Sequence, residues 1–242
     1  MSKTSRSLTI LHLYSHDMNI YGDLGNVLVL KRRAEWHGFS PKVIEYNPGD
    51  RFPNNVDIIV GGGGQDSGQN KIQSDLLEVG PILRSMAEQN TPMLVICGLY
   101  QLFGKFFQTH DGRIIQGIGL LDIETIAKPK RLIGNIIVHS EQFGDIIGYE
   151  NHSGQTYLGK SVQPLGTVVR GAGNNEKDKT EGARWKNVIG SYMHGSLLPK
   201  NPRIADWLIE QAAEKRYGTF KPQEIDDRFA QLAREYAMKR PR

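Results

Sequence analysis

The stretch Met93-Leu-Val-Ile-Cys97-Gly98-Leu99-Tyr100-Gln101 decides how this chain is read. Four apolar residues in a row, started by Pro92, describe a strand buried on both faces, as in a covered parallel sheet. Helical spacing resumes at Tyr100 and runs to Phe107, so the strand turns into a helix at Cys97-Gly98. Working toward the N-terminus, residues 8–14 read as a strand. Asp23 offers an N-cap for a helix through 27–37 that Gly38 ends. Short β-rich runs follow at 42–46 and 56–60, the second stopping at four glycines, 61–64. Residues 75–89 carry helical periodicity in Leu76, Val79, Leu83 and Met86. Strands alternating with helices of this length imply βαβ units. The expected fold is α/β, with a mostly parallel central sheet and helices on both faces.

Toward the C-terminus the texture changes. Between about residues 113 and 192, strand-like runs at 121–126, 132–138, 167–169 and 187–192 are separated by Gly/Asn/Asp-rich turns. They predict an antiparallel extension of the same sheet. A helix over 202–217 follows. At 222–238, Ile225, Phe229, Leu232, Ala233 and Tyr236 share one face of an amphipathic helix. Its first reading is packing back on the body, and its second is docking to a partner. With no repeat or low-complexity linker, residues 1–242 are expected to form a single domain with its core at about 8–218.

The composition excludes several classes of function. Among 242 residues, 38% are hydrophobic and 23% charged, ordinary values for a soluble chain with a real core. Thirty Lys+Arg against 26 Asp+Glu leave +4, spread along the length, which points to no nucleic-acid partner. One cysteine rules out an intrachain disulfide and a Cys-rich metal site, and fits a reducing compartment. No run approaches the roughly 18–20 apolar residues of a membrane span. The polar start, Met1-Ser-Lys-Thr-Ser-Arg-Ser7, is unlike a signal peptide, so a cytoplasmic location is expected.

Several motifs fail on context. Gly154-Gln-Thr-Tyr-Leu-Gly159-Lys160-Ser161 matches the phosphate-loop pattern. It lacks the flanking structure, since Tyr149-Glu-Asn-His-Ser153 reads as a polar loop and Pro164 forbids a helix downstream. The glycine run at 61–64 lacks the third glycine of a dinucleotide fingerprint. Asn151-His-Ser153 is a glycosylation sequon without meaning unless the chain is secreted. Seven histidines show no metal-ligand pairing, so no metal is expected.

What survives is Cys97. A sharp strand-to-helix turn resembles the nucleophile elbow of serine hydrolases; here the helix N-terminus would lower the thiol pKa and offer amides to an oxyanion. A small buried thiol ending a core strand is the plain alternative. Two features favour chemistry. The glycines at 61–64 let backbone amides approach a substrate carbonyl, and Gly190-Ser-Tyr-Met-His194-Gly195 puts a histidine just after an apolar strand. His152, in Glu150-Asn-His, competes as base but ranks second because its segment reads as a loop.

In these features the chain resembles the class I (triad-type) glutamine amidotransferases of the cobyric-acid-synthase-like branch, which share a flavodoxin-like fold. It is most similar to the glutaminase subunits of lipid II isoglutaminyl synthases. The supporting segments include Asn19-Ile-Tyr-Gly-Asp23-Leu-Gly25-Asn26, Gly62-Gly63-Gly64-Gln65-Asp66, Ile96-Cys97-Gly98, Arg131-Leu132, Tyr149-Glu-Asn151-His152, Gly173-Asn174-Asn175 and Gly190-Ser-Tyr-Met-His194-Gly195. The resemblance implies that Cys97 attacks the side-chain amide of L-glutamine while His194 moves the protons. It further implies backbone amides of Gly63 and Gly98 at the oxyanion, Arg131 on the α-carboxylate and Gln101 in the substrate site. The ammonia would pass to a MurT-type synthetase subunit in a heterodimer. That partner would use ATP and Mg to amidate D-glutamate of the lipid-linked stem peptide, and this chain would carry no cofactor.

Two departures qualify the match. Glycine usually stands second after the nucleophile, where this chain has Leu99, whose side chain either narrows the glutamine pocket or points into the core. Many relatives place Glu two residues after the histidine, where this chain has Ser196. Either a Cys–His dyad operates, or an acid comes from elsewhere, the partner included. The rival readings are the glutaminase of a cobyrinic-acid-type amidotransferase and a catalytically silent scaffold.

Overall fold

Burial on both faces explains the central strands. The computed structural model describes residues 6–241. Strand β1 (Ser7–Leu13) leads through a single 3-10 turn at Ile20–Gly22 into helix α1 (Leu24–Trp36). Then come β2 (Ser40–Tyr46), β3 (Ile58–Gly61), α2 (Asp66–Glu88), β4 (Met93–Ile96) and α3 (Gly98–Phe103). The second half contains β5 (Phe106–Gln108), β6 (Ile114–Gln116), β7 (Ile123–Ser140), β8 (Gly144–Leu158), β9 (Gly166–Arg170), β10 (Thr180–Glu181), β11 (Ala183–Trp185) and β12 (Val188–Ser191). Helices α4 (Leu197–Lys200), α5 (Pro202–Tyr217) and α6 (Arg228–Lys239) close the chain.

One sheet runs β11-β12-β4-β3-β1-β2, and all its pairs are parallel except β11 with β12. This is the flavodoxin-like strand order, in which ligands bind beyond the carboxyl ends of the strands where the order reverses. Every residue of β3, β4 and β12 is buried, which requires cover on both faces.

The antiparallel region departs from expectation. It forms a second sheet, β10-β9-β7-β5-β6 with β8 on β7, and only β11 extends the first sheet. The runs at 121–126 and 132–138 are parts of one long strand, β7. Its register against β8 shifts between Ala127 and Leu132. The supposed polar loop at 149–153 lies inside β8, whose residues alternate between buried and part-exposed there. The phosphate-loop match therefore ends in a strand and a turn, with no helix after Lys160. The expected helix to Phe107 stops at Phe103, and β5 follows it.

The C-terminal helix begins at Arg228, later than expected, and none of its residues is buried. It is held by polar contacts: Arg234 donates to the Lys200 and Asp145 carbonyls and to Asn201 Oδ1. The segment before it is pinned by the buried Arg33, which bridges Asp206 and Asp227. Phe229 remains 81% exposed.

Leu94 is fully buried in the middle of this sheet, where no rearrangement easily refills lost volume. Leu94→Ala is expected to cost about 2–5 kcal/mol in a urea unfolding measurement.

Candidate active site

The chain places its nucleophile candidate under backbone strain. Cys97 has φ 48° and ψ −99°, a left-handed conformation that costs a residue with a Cβ about 1–3 kcal/mol. The neighbouring structure enforces it: Cys97 N donates to the Ser191 carbonyl at 2.8 Å, and Gln101 N donates to the Cys97 carbonyl at 3.0 Å. The side chain is thereby held at the head of α3, nearly buried.

Glycine is required opposite. A Cβ on Gly63 would stand 2.6 Å from His194 Cε1 and 3.2 Å from Cys97 Cβ, and one on Gly98 would stand 2.8 Å from Gly64 N. Only bare backbone fits between the base and the nucleophile. The Gly63 amide itself donates to Asp23 Oδ2 at 2.7 Å. Its neighbours differ: the amides of Gly64 and Gly98 donate to no acceptor among the described residues. Gly63, expected at the oxyanion, is thus engaged by Asp23, and the amides of Gly64 and Gly98 are among those at this elbow left without an acceptor.

His194 is fully buried just after β12. Its backbone is locked to the second sheet, where N donates to the Tyr149 carbonyl at 2.7 Å. The strand before it is held by Glu181, which accepts from Ser191 Oγ at 2.7 Å and Tyr192 N at 2.8 Å. Burial raises Glu181 to about 7, against the pull of those bonds. Nδ1 of His194 stands 3.4 Å from Asp23 Oδ2, an ion-pair distance at which the N–H is not aligned into a hydrogen bond. Burial alone would lower the His194 pKa. The Cys97 charge and then Asp23 more than offset it and push it up to about 10. The pairing with the sulfur and with Asp23 thus favours the cationic imidazole.

Asp23 is the residue that sequence reasoning missed in this role. It lies where a helix N-cap was expected, but its side chain caps nothing. Leu24 N instead donates to Asn19 Oδ1 at 2.7 Å. A signal was present in Asn19-Ile-Tyr-Gly-Asp23-Leu-Gly25-Asn26, one of the segments that carry the family resemblance. Ser196 donates its hydroxyl to the Gly22 carbonyl at 2.5 Å and so ties the His194 loop to the Asp23 loop.

A cleft of about 340 Å³ opens above Cys97, lined by Tyr21, Gly64, Gln101, Arg131, Asn151 and His152 among others. Arg131 is the cation that faces it. Its neighbour Lys130 is paired with Glu176 at 2.6 Å. Gln101 forms part of the wall, with both ends of its amide engaged: Oε1 accepts from Gln69 at 2.8 Å and Nε2 donates to Tyr192 Oη at 3.2 Å. Leu99 points into the core, where it packs against Gly61.

His152 lies in the same cleft, but in a different electrostatic state. Its Nδ1–H donates to the Gly154 carbonyl at 2.6 Å, and the ring stacks on Tyr192 with centroids 3.6 Å apart. Burial first, and the nearby His194 and Arg131 charges after it, push its pKa down to about 3. A neutral imidazole this weakly basic would not keep a thiol proton, which favours His194 over His152 as the candidate base.

Strand ends that gather a strained cysteine, a buried histidine–aspartate pair and free amides define a cysteine-dependent amidotransferase site. The profile of the CobB/CobQ-like glutamine amidotransferase domain matches residues 9–202, and the chain belongs to that family of glutamine amidotransferases. It is 41% identical over 221 residues to the lipid II isoglutaminyl synthase (glutamine-hydrolyzing) subunit GatD of Staphylococcus aureus (strain N315), covering 91% of this chain and 90% of that protein. Identity is also 41% over 214 residues to the GatD subunit of Streptococcus pneumoniae, covering 87% and 82%. A probable cobyric acid synthase of Methanothermobacter thermautotrophicus is 33% identical over 153 residues, but the match covers only 30% of that protein. A crystal structure of a glutamine amidotransferase superposes with TM-score 0.58 at 15% identity, covering 84% of this chain and 98% of that one. One from Thermotoga maritima superposes at 0.55 and 16%, covering 95% and 90%. These structures establish the class I amidotransferase fold. Among the described residues no helix is long and apolar enough to cross a membrane.

The state of His152 is testable through stability. Between pH 6.5 and 3 the unfolded chain binds a proton at this residue that the folded chain excludes, so stability falls as the pH drops. From pH 7 to 5 the wild type should lose about 2 kcal/mol more than His152→Asn, measured by urea unfolding. Equal losses would remove the assignment.

Proposed function

We propose that this chain is the glutamine-hydrolysing subunit of a lipid II isoglutaminyl synthase. The observation that carries the reading is 41% identity over nine-tenths of a subunit of that name, in a chain that keeps the Cys97–His194 pair. Cys97 Sγ attacks the side-chain carbonyl carbon of L-glutamine, and His194 holds the thiol proton. The oxyanion is received by the Gly64 and Gly98 amides, each such donor being worth about 2.7–4 kcal/mol in the transition state. His194 then gives its proton to the departing nitrogen, and ammonia leaves behind a thioester. Water, deprotonated by His194, attacks the thioester and releases glutamate and the free thiol. Arg131 holds the α-carboxylate through a charge-assisted fork.

In this reading Asp23 is the third member of the triad and comes from this chain rather than from a partner. Its buried carboxylate lies 3.4 Å from Nδ1 and adds to the Cys97 charge in favouring the cationic imidazole. The ammonia passes to a MurT-type synthetase subunit in a cytoplasmic heterodimer. ATP and Mg belong to that partner, which amidates D-glutamate of the stem peptide, and this chain needs no cofactor of its own.

Two measurements test this. The chain, alone and with a MurT-type synthetase, is incubated with a glutamine-mimicking electrophile, and the adduct is located by mass spectrometry. Labelling at Cys97, absent from Cys97→Ala, is expected, whereas no labelling in either setting would favour a silent scaffold. Asp23→Asn should slow glutamine hydrolysis about 10²–10⁴-fold and move the alkaline limb of its pH profile downward, because His194 loses a charge that raises its pKa. A full rate with an unchanged profile would remove Asp23 from the triad.

A further inference from the structure

The single turn Ile20–Gly22 contains an exposed aromatic residue in an unfavourable conformation. Tyr21 has φ 57° and is 49% exposed, so burial does not account for its retention there. Two contacts hold it. Its ring stands edge-on to His194, with centroids 4.9 Å apart at 66°. Its hydroxyl oxygen accepts a hydrogen bond from Asn151 Nδ2 at 2.9 Å. On its other side Asn151 Oδ1 accepts from Arg131 Nε at 2.6 Å, and the Asn151 carbonyl accepts from Arg131 Nη2 at 3.3 Å.

These contacts form a chain across the cleft. Donation to Tyr21 fixes the orientation of the Asn151 amide, because a flipped amide would turn its NH₂ toward the guanidinium. With that orientation set, Asn151 occupies the Nε side of Arg131 and leaves the Nη1–Nη2 fork unspent. A long arginine side chain at an exposed position otherwise samples many rotamers, and holding it beforehand lowers the cost of binding. The Ile20 amide donates to the Gly63 carbonyl at 3.1 Å, so the same turn is fixed to the glycine loop.

We propose that Tyr21 and Asn151 are positioning residues that aim the Arg131 fork at the α-carboxylate of free glutamine and join that grip to His194. This rests on the glutaminase reading above. It makes the site selective for glutamine as a free amino acid over glutamine whose α-carboxyl is blocked.

The test compares steady-state hydrolysis of L-glutamine and of its α-carboxamide by the full chain with a MurT-type synthetase. Tyr21→Phe removes only the hydroxyl. It is expected to raise KM for glutamine about three- to tenfold with kcat within twofold. Asn151→Ala should raise KM about ten- to a hundredfold, since it frees the charged side chain itself. Neither change should alter the slow turnover of the carboxamide, so preference for the free carboxylate shrinks. In Arg131→Ala the further change Tyr21→Phe should have no effect on KM. An unchanged KM and preference in both variants, or a loss confined to kcat, would overturn the proposal while leaving the glutaminase reading intact. A wild-type complex that neither hydrolyses glutamine nor labels at Cys97 would overturn both.

Discussion

A buried carboxylate is the constraint on which this site depends. Asp23 is 1% exposed, and its Oδ2 faces the Gly63 amide at 2.7 Å and His194 Nδ1 at 3.4 Å. Its Oδ1 finds no hydrogen-bond partner among the described residues. Removing such a charge from water is tolerable only beside an opposite charge and a donor, and both come from other strand ends. The loop after β1, the glycine turn after β3 and the histidine after β12 are therefore bound to one another. Cys97 after β4 completes the group through its effect on His194. The parallel sheet makes this geometry available, because all four strands deliver their carboxyl ends to one edge.

That edge does not suffice to place the base. His194 lies beyond the last residue of β12, and the second sheet fixes it through the Tyr149 carbonyl on β8. On the opposite side Glu181, ahead of β11, holds Ser191 and Tyr192. The antiparallel region thus helps to position His194. It also contributes Arg131 and His152, which come from facing strands of one hairpin, with Leu132 paired to His152. The sheet that was expected to be an extension of the core provides a wall of the cleft.

The sequence was most informative where local patterning and final structure agree. Continuous apolar runs are read correctly as buried strands, and β4 and α5 lie at the residues their patterns indicate. Cys97 and His194 are legible because each follows such a run. The segment at 149–153 is not, because a strand in a two-sided hairpin can carry Glu150 and His152 inward. Their burial is permitted by partners distant in sequence: the Ala172 and Gly173 amides for Glu150, and Tyr192 for His152. Asp23 was hidden for a related reason. At a helix start an aspartate is explained locally, and only the tertiary approach of Gly63 and His194 gives it a different use.

The same approach separates two tasks that the glycine turn performs. One amide of this turn cannot both satisfy a permanent carboxylate and receive a transient oxyanion. Gly63 serves Asp23, and the next amide, Gly64, lies close against Gly98 at the head of α3. Four consecutive glycines allow both amides to turn inward within one residue of each other, at a place where a single Cβ on Gly63 would strike the imidazole. The run is required less for flexibility than for proximity. In the proposed mechanism it lets an acid be supported and an oxyanion received by adjacent peptide groups of one turn.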